Sequence, residues 1–91
     1  MGRIPSGWKK TSENSECEVY GKKGYQIYIW KVKKPRKEFI VEPFRKLSNY
    51  KRRLFSRSFK TLSEARKFAW TLMKQKEIRG YYASKIDDSI E

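Results

Sequence analysis

Histidine is absent from this 91-residue chain, and cysteine occurs once. Without histidine, no Ser-His-Asp or Cys-His arrangement can be assembled. Cys17 has no second thiol with which to form an internal disulfide, and no histidine with which to share a zinc ion. It reads as an inert thiol near a strand, and a small chain with one thiol fits a reducing compartment. Long apolar runs are missing too. None approaches a membrane span or the hydrophobic stretch of a signal peptide, so an intracellular protein with no membrane partner is expected. The GKKG stretch at 21–24 lacks the Walker spacing and the following Ser or Thr of a phosphate loop. Clustered carboxylates are lacking as well: Glu38 and Glu42 are separated on a strand by Ile40, and Asp87 and Asp88 lie in a tail, so both pairs read as solvated surface. Neither a metal nor a cofactor is expected, and no enzyme motif is found.

Acidic residues are scarce in one place. The formal charge is +13, yet residues 1–21 balance to zero and residues 61–91 to +1. The middle segment, 22–60, holds fourteen Lys or Arg against Glu38 and Glu42 alone. Concentrated like charge opposes folding by self-repulsion and calls for a compensating partner. Nucleic acid rewards such a patch through counterion release. An anionic membrane would favour a basic amphipathic helix instead, and here the charge lies mostly outside the helix.

The chain length fits one domain. Residues 1–16 read as an irregular arm with Trp8 as its main apolar anchor. CEVY at 17–20 and YQIYIWKVK at 25–33 read as strands of a hairpin, the second rich in β-branched and aromatic residues. KPRK makes a basic turn around Pro35. EFIVEPF at 38–44 resumes as a strand that Pro43 confines to an edge or ends with a bulge. After a loop at 45–50, KRRLFSRSF forms the last strand. Thr61 and Glu64 have the spacing of a capping box. The helix they open carries Leu62, Ala65, Phe68, Ala69, Leu72 and Met73 on one stripe and is expected to run to about Arg79, where Gly80 stops it. Arg66, Lys67 and Lys74, with Glu64 and Glu77 among them, read as its solvated face. Trp70 lies about 140° from the stripe's centre, placed to receive Trp8 or the tail. The expectation is an α+β fold, an antiparallel sheet of three or four strands packed on one C-terminal α-helix, with the domain at 17–80 and an acidic tail at 81–91. The helix covers one sheet face, and the other is left for function.

Arg53, Phe55, Arg57 and Phe59 share one parity on the last strand. Phosphates are met by Lys and Arg and unstacked bases by aromatic faces, so an alternation of the two suits nucleic acid. The phenylalanines have a second reading, as core beneath the helix with the arginine stems along its edges. Tyr28 and Trp30 are read as an exposed pair, because Ile27 and Ile29 already supply an aliphatic parity. Phosphate contacts are assigned to Lys22, Lys23, Lys33, Lys34, Arg36, Lys37, Arg45, Lys46, Lys51, Arg52, Arg53 and Arg57, with Tyr28 and Trp30 stacking or wedging.

Phe59, Thr61, Glu64 and Ala65 make an F-x-T-x-x-E-A junction that resembles the Apetala-type (ethylene-response) DNA-binding domains and the arm-binding domains of tyrosine recombinases, over an outline of residues 25–76. The resemblance implies a three-stranded sheet backed by one helix, with the open face in the major groove of duplex DNA, and favours Arg53 and Arg57 as contacts if their parity faces outward. The long FRKLSNYK connection and the added CEVY strand depart from it. With that strand the order is similar to single-strand DNA or RNA binders of the positive-coactivator type. Two further alternatives stand beside DNA: a basic module that binds an acidic protein partner, and a RelE-type ribosome-dependent RNase using Arg79, Tyr81 and Tyr82. Homodimerisation is left open.

Overall fold

The computed structural model describes residues 3–78. An antiparallel meander holds six strand segments, β1 (Lys9–Glu13), β2 (Cys17–Lys22), β3 (Tyr25–Val32), β4 (Glu38–Lys46), β5 (Lys51–Arg53) and β6 (Arg57–Phe59), and one helix, α1 (Leu62–Met73), follows them. Neighbours run in the order β1-β2-β3-β4-β5, with β6 also against β4. The α+β architecture is the expected one, with a larger sheet. The extra strand is β1, within the segment read as an irregular arm: its KKTSE side chains are all exposed, so no apolar alternation marks it.

The β2–β3 hairpin pairs Lys22 with Tyr25, and Gly24 takes φ 86° in the two-residue loop, a conformation open to glycine at little cost. Pro43 stands inside β4 rather than at an edge, opposite Ile27. Its carbonyl accepts from the Leu54 amide at 2.8 Å, so its missing N–H faces the same neighbour. There the neighbouring strand breaks into β5 and β6. Arg53 pairs with Phe44 and Arg57 with Val41, four steps on one side against three on the other, which is a bulge.

That bulge flips the parity. Phe55 is buried in the core, and Phe59 packs against it from the helix side. The core lies between α1 and one sheet face, where Tyr20, Ile27, Ile29, Phe39 and Val41 meet Ala65, Ala69, Leu72 and Met73. Thr61 caps the helix, its hydroxyl accepting from the Glu64 amide at 3.1 Å, as the capping box predicts. The helix ends at Met73, earlier than the sequence suggests, with Lys74 as its C-cap. The Trp8 indole N–H donates to the Met73 carbonyl at 3.1 Å, satisfying one of the acceptors that every helix end leaves open. Trp70 leans back to the sheet instead of standing clear of it: its ring meets Tyr20 edge-on at 5.2 Å, and its N–H donates to the Arg3 carbonyl of the arm at 2.8 Å.

One charged group is sealed inside. Glu18 has no exposure, and its carboxylate accepts from the Tyr20 hydroxyl at 2.7 Å and from the Arg66 guanidinium, with Lys31 at 3.5 Å. Burial alone would raise its pKa, but the Arg66 and Tyr20 hydrogen bonds and the two cations outweigh it and hold the carboxyl at about 2. Burial and the same carboxylate push the Tyr20 hydroxyl up. Arg66 therefore ties α1 to β2 and is not part of a solvated face.

Candidate nucleic-acid interface

Strand alternation divides β3 and β4 between two faces. Ile27, Ile29 and Val41 go to the helix; Gln26, Tyr28, Trp30, Ile40, Glu42 and Phe44 go to the opposite, outer face. Lys46 on β4 and Lys51 and Arg53 on β5 continue this outer parity. Tyr28 and Trp30 are half-buried in this face, clear of the helix.

The outer face is tightly organised. The Tyr28 and Trp30 rings stack at 5.3 Å with 15° between planes, and the Phe44 ring meets Tyr28 edge-on at 5.2 Å. Lys51 lies over Tyr28, its ammonium 4.6 Å from the ring centroid, and donates to the Tyr28 hydroxyl at 2.5 Å and to Gln26 Oε1 at 3.1 Å. Trp30 Nε1 donates to Glu42 Oε1 at 2.9 Å. The second oxygen of Glu42 accepts from Arg53 at 3.4 Å and Ser56 at 3.2 Å. Glu42 is thus a structural acceptor with 16% side-chain exposure, not the solvated carboxylate read from the sequence. Ser58 donates to Glu38 on the same face.

One side of Tyr28 is covered by Trp30, and Lys51 lies over its ring. Trp30, by contrast, has no second ring or cation over it among the described residues. Its orientation is fixed by Glu42 and Tyr28, so it presents an indole face at little further entropic cost.

The assigned cations are not gathered on one face. Lys46, Lys51 and Arg53 join Tyr28 and Trp30 on the outer side. Consecutive strand residues point to opposite faces, so Arg45 and Arg52 must turn the other way. Arg45 lies over Tyr25 and pairs with Glu77 at 3.9 Å. Lys22 lies over Trp8. Arg57 leaves the outer parity because of the bulge and covers the Phe59 and Phe68 rings at 5.4 and 4.9 Å. Lys23 sits in the β2–β3 turn, while Lys33, Lys34, Arg36 and Lys37 form the exposed β3–β4 loop at the far end of the sheet. Arg79, Tyr81 and Tyr82 lie outside the described residues.

Sequence reasoning missed Phe44, Gln26 and Glu42 as parts of this face. The signal was present: Glu42 and Phe44 share the period-2 parity of β4, and Gln26 that of Tyr28 and Trp30. No cluster of three or more metal-ligating side chains occurs among the described residues, and none of their helices is long and apolar enough to cross a membrane. Compared with family models, curated proteins and solved structures, the chain matches none.

Proposed function

We propose that this chain binds nucleic acid, DNA in the first instance, through the outer sheet face. The observation that carries the reading is the Tyr28–Trp30 stack on the face opposite the helix, with Lys51 and Arg53 on the same face beyond β4, on β5. Stacked rings beside cations suit bases beside phosphates. Lys46, Lys51 and Arg53 meet phosphates directly, and Trp30 offers the base-facing ring. Lys23 at one end and the Lys33–Lys37 loop at the other extend the positive field along the sheet. An acidic protein partner would use the cations but has no comparable need of the stacked rings.

The test is a fluorescence-anisotropy titration of a labelled oligonucleotide at several salt concentrations. With at least the three outer-face cations engaged, log K should fall against log salt with a slope of about −2 or steeper. A flat response, or no binding to DNA or RNA, overturns the proposal.

A further inference from the structure

Leu47 and Tyr50 are the large hydrophobic side chains that stand exposed among the described residues, at 40% and 65%. A single exposed apolar residue has no special meaning, but these two share the tip of one hairpin. The Leu47 amide donates to the Tyr50 carbonyl at 2.7 Å, closing the loop between β4 and β5. Lys46 and Lys51 are paired directly below the tip, and Arg45 and Arg52 form the next pair. From Pro43 to Ser63 the sequence holds no acidic residue. Below the tip, Lys51 belongs to the outer face and reaches back to Tyr28 and Gln26.

On the basis of the nucleic-acid reading above, we propose that the ligand is a single strand, drawn along β4 from Trp30 to the hairpin tip, where Tyr50 stacks an unpaired base and Lys46 and Lys51 hold the phosphates on either side. The middle of the outer face consists of rings and the Glu42 carboxylate rather than protruding cations. A duplex presents phosphates and groove edges, and its base faces are hidden in the stack. A single strand presents the base faces themselves, which sequence-tolerant stacking requires. From Ile40, paired with Trp30, to Lys46 is six residue steps. At about 3.3 Å each the path is roughly 20 Å, suited to about four nucleotides, the small end of the range for single-strand modules. An anionic lipid surface would also accept a Tyr-Leu tip ringed by cations, but two side chains bury little apolar area and leave the Trp30 ring without a role.

The experiment compares labelled single-stranded DNA, single-stranded RNA and duplex DNA of about twelve nucleotides at one ionic strength, together with phosphatidylserine vesicles. The proteins are the wild type, Tyr50→Ala and Tyr50→Phe. The expected result is that one single-stranded form binds about tenfold or more tighter than duplex, that Tyr50→Ala loses about tenfold, and that Tyr50→Phe retains affinity. Duplex bound equally well, or Tyr50→Ala matching the wild type, overturns the single-strand path and leaves the outer-face reading standing. Wild-type protein that binds no oligonucleotide overturns both. Vesicle binding that Tyr50→Ala abolishes, without oligonucleotide binding, overturns both and assigns the tip to a lipid surface.

Discussion

Replacing Glu18 with Gln removes the one fully buried charge of the described core and tests what locks the sheet to its helix. In the native chain the carboxyl is held at about 2 against an ordinary 4.5. At about 1.36 kcal/mol per pH unit of separation, that gap corresponds to on the order of 3 kcal/mol. Folding lowers this pKa, so the stabilisation is complete above 4.5 and is lost as pH falls through about 2. Glutamine keeps an acceptor for the Tyr20 hydroxyl but leaves the Arg66 and Lys31 cations uncompensated. Glu18→Gln should therefore destabilise the protein by roughly 3 kcal/mol at neutral pH, in line with other broken buried pairs. Urea unfolding followed by tryptophan fluorescence, at steps from pH 7 to pH 2, reads the difference between variant and wild type, in which the titration of the remaining carboxylates cancels. The difference should shrink steadily below pH 4.5. A difference that stays constant across the range would refute the assignment of the charge to the Glu18–Arg66 pair.

Glu42→Gln removes a negative charge from the outer face yet can still accept from Trp30, so oligonucleotide affinity should rise several-fold; a fall measured by anisotropy would show that the charge itself is needed. Lys51→Met should flatten the salt slope by about 0.7 to 0.9, the share of one phosphate contact, whereas Arg57→Met, on the helix side, should leave the slope unchanged. Gly24→Ala forces a left-handed φ of 86° on a residue with a Cβ that meets no neighbour, so it should lower stability by about 1 kcal/mol through backbone strain alone. Equal thermal midpoints for that variant and the wild type would contradict the argument.

Much of the fold was legible because local chemistry and tertiary structure agree. The run at 25–32 is β-branched and aromatic and became the central strand, and the Thr61 cap started the helix where its spacing says. The failures share a physical origin in distant contacts. Nothing near Met73 announces the helix end; Trp8, 65 residues away, satisfies that carbonyl. Arg66 looks like an ordinary helix-surface cation until it meets Glu18, 48 residues earlier. β1 is a polar edge strand held by its backbone pairing with β2 and by the Thr11 hydroxyl, which donates to the Val19 carbonyl, and edge strands are often charged for the protection this gives. The Arg53–Phe59 alternation was the most persuasive pattern and the most misleading, because an extra residue opposite Pro43 turns Arg53 outward and Arg57 inward. At the candidate site the parity of Tyr28 and Trp30 could be read, but Glu42 as the acceptor that orients Trp30 depends on strand register, which a single sequence does not specify.

The central claim is that the ligand meets the outer sheet face and not the helix. Chemical-shift mapping of the isotopically labelled protein during an oligonucleotide titration tests it most directly. The largest perturbations should fall on the Trp30 indole and on Tyr28, Phe44, Lys51 and Arg53, while Lys67 and Lys74 of the helix side stay unmoved. Perturbations centred on those two lysines, with a silent Trp30 indole, would contradict it.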